Sequence, residues 1–247
     1  MIVSHQHRYV FVHVPKNAGT TIATHLAKYL GPRDLMLGSW TEALAGGAKL
    51  NRRMTNIILR NRSPFSVIRS AVRRRSIAKM LDTATKRHFS NKLWDHSSLA
   101  EIEAHEAFDD GAYFKFCVVR NPFERLVSLY NWRYRNFERR PSFSTMLRLI
   151  DDGCADMHGI NWQTWDLYTR DNKIAVDFVA RQEQLAADFG TICSQIGIPY
   201  QPENLTREKS NAPKNHVAAS YYKPGDREIV ERVYADEIEH FGYRFPN

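Results

Sequence analysis

Cysteine is scarce in this chain of 247 residues: there are three, Cys117, Cys154 and Cys193. An odd number, with no pair at metal-ligand spacing, excludes a disulfide framework and a cysteine-based zinc cluster. Cys117 falls in an apolar run of strand length and Cys193 on the apolar face of a helical segment. Both are expected to be reduced structural residues of a reducing compartment. None lies in a motif that lowers a thiol pKa, which argues against a cysteine nucleophile. No apolar run is long enough to cross a bilayer. Residues 1–8 lack the long apolar core of a signal peptide, so a cytoplasmic location is expected. Internal repeats and low-complexity tracts are also missing. The apolar fraction, 43%, suffices for a full core, and the length fits one domain, 1–247, with an insertion or substrate-facing segment at about 41–92.

Acid is scarce in one place. Between Lys49 and Lys92 the only acid is Asp82, while Arg52-Arg53 and Arg73-Arg74-Arg75 concentrate positive charge in a chain of formal net charge +8. Such a stretch reads as a solvated helical surface, as a flexible insertion, or as a landing surface for a polyanion such as an acidic glycan. Nucleic acid is not expected, because no recognition motif accompanies the charge.

What the chain does have is Tyr9-Val10-Phe11-Val12-His13-Val14-Pro15-Lys16-Asn17-Ala18-Gly19-Thr20-Thr21. It reads as a buried strand over 9–14, a tight loop, and a helix over 20–30 carried by Ile22, Leu26, Tyr29 and Leu30 and stopped by Gly31-Pro32. A loop of small residues feeding a helix N-terminus is an anion site, because free N–H groups and the positive end of the helix dipole point into it. Lys16 adds a charge, and Thr20 and Thr21 add hydroxyls. The inferred ligand is a phosphate of a nucleotide. The nucleoside triphosphate loop G-x-x-x-x-G-K-[ST] does not fit, since the single glycine follows the lysine.

A second segment has the same form. Phe114 to Val119 is strand-like, and Arg120-Asn121-Pro122 then opens a helix over 122–138, with Asn121 as cap and Pro122 at the first position. Phe123, Leu126, Val127, Tyr130, Tyr134 and Phe137 form its apolar stripe. Ser128 lies away from that stripe and reads, on its own, as a solvated serine. Further strand-like and helix-like stretches alternate: strand 174–179, helix 182–196 ended by Gly197, and helix 226–240 with Asp226 as cap. The fold class is therefore α/β, a parallel sheet flanked by helices, with both loops at carboxyl ends of strands.

Together the two motifs resemble the sulfotransferases that use 3′-phosphoadenosine 5′-phosphosulfate, in particular the heparan sulfate 2-O- and chondroitin type carbohydrate sulfotransferases. The resemblance covers most of 8–40 and 90–245, including Val176–Leu185 and the closing Phe241-Gly242-Tyr243-Arg244-Phe245, and leaves 41–90 unmatched. It implies a P-loop-like sulfotransferase fold. It implies that Lys16, Asn17, Ala18, Gly19, Thr20 and Thr21 hold the 5′-phosphosulfate, and that Arg120 and Ser128 hold the 3′-phosphate, where a guanidinium fork suits a dianion. It implies a carbohydrate acceptor, possibly anionic, and a soluble bacterial member lacking a membrane anchor. The loop 199–223 would close over the nucleotide, through Arg207, Lys209 or Ser210.

Sulfuryl transfer, by analogy with phosphoryl transfer, asks mainly for positioning and charge stabilisation. Lys16 suits the leaving bisphosphate. Histidine is the natural base near neutral pH, and the resemblance singles out His96, in Leu93-Trp94-Asp95-His96-Ser97, about two dozen residues before Arg120. Asp95-His96-Ser97 also reads as a helix-capping segment, and Glu101 or Glu183 is the alternative base. Arg181 and Glu183 either brace a loop or orient the acceptor. No metal-ligand cluster is visible. Other function classes are a nucleotide kinase, which needs a lysine after the glycine and an acidic magnesium site, and a non-catalytic polyanion-binding protein on a degenerate transferase fold.

Overall fold

The computed structural model describes residues 1–61, 74–89, 92–106, 108–109, 111–153, 163–202 and 218–246. The loop expectations on Arg207, Lys209 and Ser210, and Cys154, lie outside these residues. The chain divides into two compact units, one of Met1–Val118 with Leu167–Glu208, the other of Val119–Asp166 with Lys209–Asn247.

The first unit is built on a sheet of β1 (Ile2–Ser4), β2 (Tyr9–Val12), β3 (Leu35–Met36), β4 (Phe114–Val119) and β7 (Phe178–Arg181), in the order β3-β1-β2-β4-β7. The sheet is mixed, which corrects the expectation of an all-parallel one. β2 and β4 are parallel, Val12 opposite Cys117, but β1 is antiparallel to both β2 and β3. The cause is local: only four residues join β1 to β2, and so short a link can make only a hairpin. A three-residue strand carries too little periodicity to be seen in sequence. Asp34, fully buried, holds this corner together by accepting from the Ser4 hydroxyl (2.6 Å) and from the backbone N–H groups of His5 and Gly31 (both 2.8 Å). The strand expected at 174–179 sits later, at Phe178–Arg181, because the Asp177 carboxylate takes the Lys115 N–H (2.7 Å). Small strands β5 (Thr169–Arg170) and β6 (Lys173–Ile174) form a separate hairpin.

Helix α1 (Gly19–Leu26) follows β2, α2 (Trp40–Ala45) comes next, and α3 (Arg52–Asn61) and α4 (Arg74–His88) are the described helices of the basic stretch. Among the described residues, α3 and α4 each have a buried side. Met54, Ile57 and Ile58 of α3 are buried, as are Ala78, Leu81 and Ala84 of α4, while Arg52, Arg60, Lys79, Lys86 and Arg87 stay exposed. Each helix thus buries an apolar face and turns its charge outward. Further on are α5 (Leu99–Glu103) and α8 (Leu185–Ile196); α8 is closed by Gly197 in the left-handed region (φ 65°). Cys117 and Cys193 are buried free thiols, and burial pushes the Cys193 thiol up to about 11.

The second unit packs α6 (Pro122–Arg133), α7 (Phe143–Asp151), α9 (Asp226–Val233) and α10 (Ala235–Phe241) around Phe123, Leu126, Leu129, Met146, Leu147 and Val230. α6 stops five residues before the expected end, and Phe137 leaves the apolar stripe, 44% exposed, as the chain turns toward α7. The helix expected over 226–240 is two, broken at Tyr234 (φ −116°), whose ring lies under the Arg125 guanidinium at 4.7 Å. Gly225, not Asp226, occupies the cap of α9; its φ of 87° suits glycine. Asp226 is buried and accepts from the Ser144 hydroxyl (2.7 Å) and the Lys223 N–H (2.9 Å).

Candidate active site

β2 delivers the chain into the loop with His13 and Val14 buried behind it. Two non-glycine residues of the loop, Lys16 (φ 66°) and Ala18 (φ 59°), stand in the left-handed region. Each costs about 1–2 kcal/mol relative to a right-handed conformation, which the sequence alone did not signal. Ala18 is the cap of α1 and, as alanine, offers no side-chain bond to the N–H groups of the first turn. Left-handed turns that lead into a helix make a concave cluster of N–H donors suited to an anion. The Thr20 and Thr21 side chains sit on the first turn. Asn17 faces inward: it is 1% exposed, and its Nδ2 donates to the Val118 carbonyl on β4 at 3.0 Å. Its side chain is therefore an anchor for the loop.

Gly19 is needed for space. A Cβ there would lie 1.9 Å from the His13 ring. The same ring meets His96 edge-on, centroids 4.6 Å apart, and the His13 carbonyl accepts from His96 Nδ1 at 2.7 Å. A carbonyl can only accept, so Nδ1 carries the hydrogen and Nε2 keeps its lone pair. Asp95 Oδ2 lies 3.5 Å from that Nε2, where it would pair with the imidazolium once a proton arrives. Burial lowers the His96 pKa, Asp95 and the bond to His13 oppose the shift, and Lys16 adds to it. Burial also lowers the His13 pKa, well below the ordinary value, helped by His96 and Lys16. Trp94 packs edge-on against His96 at 5.5 Å. Gly38 (φ 78°) lets the backbone approach Asp95, where a Cβ would lie 2.5 Å from the aspartate Cβ.

His96 is not a helix cap. The cap of α5 is Ser98, which forms a capping box with Glu101: Ser98 Oγ accepts from the Glu101 N–H (3.2 Å), and the Glu101 carboxylate accepts from the Ser98 N–H (2.7 Å). Glu101, one alternative base, is thus engaged in capping. Glu183 is exposed in the short turn before α8, and the Arg181 N–H is taken by Asp188 (2.7 Å).

In the second unit, Arg120 directly follows β4 and Asn121 caps α6, its side chain accepting from the Phe123 N–H at 3.1 Å. Arg120 forks onto one oxygen of Glu124 through Nε (3.3 Å) and Nη2 (2.9 Å). Ser128, half-buried, stands one turn beyond Glu124 on the same face. The arginine and serine of the second motif therefore bracket a carboxylate that the sequence reading passed over, although the i, i+4 spacing from Arg120 was its signal. Among the described residues, no group of three or more His, Cys, Asp or Glu could hold a metal ion.

The model of the sulfotransferase family matches residues 1–244. The chain belongs to the sulfotransferase family. Carbohydrate sulfotransferase 10 of Xenopus laevis is similar to it, 25% identical over 214 residues that cover 69% of this chain and 58% of that protein. The chain therefore spans little more than half the length of that relative. An uncharacterised protein of Archaeoglobus fulgidus is 29% identical over 87 residues, 35% of this chain and 70% of the relative. No solved structure matches this chain. Among its described residues, no helix is long and apolar enough to cross a membrane.

Proposed function

We propose that this chain transfers a sulfuryl group from 3′-phosphoadenosine 5′-phosphosulfate to a hydroxyl, most simply on a carbohydrate, with His96 as the base. The observation that carries the reading is the tautomer of His96: its Nδ1–H is tied to the His13 carbonyl at 2.7 Å, which leaves Nε2 as a proton acceptor. Family membership supports the reaction class, and the similarity to a carbohydrate sulfotransferase supports the acceptor class. The donor, when bound, supplies an activated sulfuryl group on a phosphate leaving group. The acceptor oxygen forms the new S–O bond as the bond to the 5′-phosphate breaks. His96 Nε2 takes the hydroxyl proton, and Asp95 stabilises the imidazolium that results. Lys16 and the N–H groups opening α1 offset the charge left on the phosphate, in a P-loop-like role. Arg120 and Ser128 hold the 3′-phosphate, with Glu124 keeping the guanidinium in position until the dianion competes for it.

Calorimetric titration with 3′-phosphoadenosine 5′-phosphate, beside ATP and 5′-AMP, tests this reading. The bisphosphate is expected to bind at least tenfold tighter than either, with the preference lost in Arg120→Ala. Preference for ATP, or no nucleotide binding, would overturn it.

A further inference from the structure

A second cleft lies in the first unit, at the other end of the sheet from the loop. His5 follows the carboxyl end of β1, and β1 runs antiparallel to β2, with Ser4 opposite Tyr9. The cleft therefore opens beside the start of β2, whereas the loop leaves its end. The strand between them is four residues long, about 13 Å at roughly 3.3 Å per residue. The cleft encloses about 560 Å³ and is lined by His5, Arg33, Arg52, Arg53, Glu106 and Asp109, with Asn56 beside them.

Its charges are unevenly matched. Arg53 is half-buried and fixed from two sides: Nη1 donates to the Arg33 carbonyl at 3.0 Å and faces His5 Nε2 at 3.3 Å. Guanidinium only donates, so His5 accepts there, and its Nδ1–H points to the Tyr113 hydroxyl at 2.6 Å. Tyr113 in turn donates to Asp109 at 2.8 Å. Asp109 is also paired with Arg8 at 3.3 Å, so its charge is already answered outside the cleft. Arg33 and Arg52 are exposed, and no carboxylate among the described residues forms an ion pair with them or with Arg53. Glu106 is the remaining acid. Beside the cleft, buried Asp34 accepts from the His5 and Gln6 N–H groups and its charge favours the Arg53 guanidinium; among the described lining residues, Arg33 and Arg52 are the exposed guanidiniums that no carboxylate bonds.

We propose that this cleft is a second binding site, for a sulfated or uronate-bearing saccharide unit. The guanidiniums would take the anionic group, while Glu106 and Asn56 would take hydroxyls. The volume lies in the range of sites for organic ligands and exceeds what a bare oxyanion fills. The site is separate from the transfer loop, so it holds either a distal part of the acceptor chain or a saccharide of its own.

The test uses the full chain and three probes: a sulfated, uronate-containing tetrasaccharide, its desulfated and carboxyl-reduced counterpart, and sodium sulfate. The variants are Arg33→Glu/Arg52→Glu and a control of equal charge change off the cleft, Lys86→Glu/Arg87→Glu, all four residues being exposed. The acidic tetrasaccharide is expected to bind the parent, to lose about tenfold or more in the cleft variant, and to lose less than about threefold in the control. Arg33→Lys/Arg52→Lys should keep most of the affinity. Equal losses in both variants, no loss in either, equal binding of the neutral saccharide, or equal binding of free sulfate would each overturn the proposal. Binding of 3′-phosphoadenosine 5′-phosphate is measured on every variant. Its absence in the parent would sink the sulfotransferase reading while leaving the cleft result standing.

Discussion

Gly19 is wedged against a histidine. In Gly19→Ala the new methyl would sit 1.9 Å from the His13 ring, so the ring or the loop must move. We expect loss of bisphosphate binding together with a lowered thermal midpoint, read by calorimetry on both; unchanged binding would show that the loop tolerates the shift. His96→Ala should reduce turnover by about 10²–10⁴-fold while bisphosphate affinity stays within about threefold, and wild-type turnover would remove His96 from the reaction. The pKa of His96 is lowered by burial against the opposing pull of Asp95, so Asp95→Asn should lower it further, a shift visible by NMR of the imidazole. The sign for stability follows from linkage. An unfolded histidine takes a proton near pH 6.5, whereas buried His13 and His96 resist it. Below that pH the unfolded chain binds more protons, so stability falls as pH drops through about 6.5. A urea midpoint that falls between pH 7.5 and 5.5, and falls less in His13→Gln, is the expected result. Lys16 and Gly19 were singled out by the sequence pattern and His96 by the family resemblance. The His13 contact was not, because nothing in a strand's pattern says which loop will fold back upon it.

At the scale of elements, two side chains tie segments together. Asn17 links the loop to β4 through the Val118 carbonyl. Asn17→Ala removes that buried bond to the Val118 carbonyl, at a cost of about 1–3 kcal/mol, and frees the loop. Denaturation should show the loss and titration a weaker grip on the bisphosphate; full stability with weaker binding would mean that the anchor serves the ligand alone. Arg125 of α6 and Glu237 of α10 form a buried pair at 3.4 Å, their side chains 2% and 4% exposed, and Thr164 donates to the same glutamate at 2.7 Å. Arg125→Ala strands a buried charge and should cost about 3–5 kcal/mol, whereas Arg125→Met/Glu237→Leu should recover most of it, as measured by chemical denaturation. Sequence pattern placed α1, β4, α6 and α8 to within a few residues, since each carries a long apolar period or a cap. It missed β1 and β3, of three and two residues, and it joined α9 to α10 because the apolar period continues through Tyr234. The break there serves the packing of Tyr234 on Arg125, a contact between distant segments.

At the scale of the whole molecule, the formal net charge of +8 draws polyanions without selecting them. Retention on a sulfated matrix should therefore fall steeply with salt for the parent and for both charge-reversal pairs, since the long-range part is screened over about 10 Å at 0.1 M. Selectivity between acidic and neutral saccharides is the property that should separate the cleft variant from its control. Composition and motif order determined the α/β class, the tight loop that opens α1 and the family, because these rest on short-range features: a strand, a tight loop, a helix start, a strand-end arginine. Charge density over 49–92 was equally plain. Tertiary structure alone decided that Asn17 turns inward to the Val118 carbonyl, that His96 bonds the His13 carbonyl, and that Arg33, Arg52 and Arg53 gather at one cleft with His5. Each of these is a pairing between groups remote in sequence. Such pairings are set by packing and hydrogen-bond satisfaction in three dimensions, for which the local sequence carries no sign.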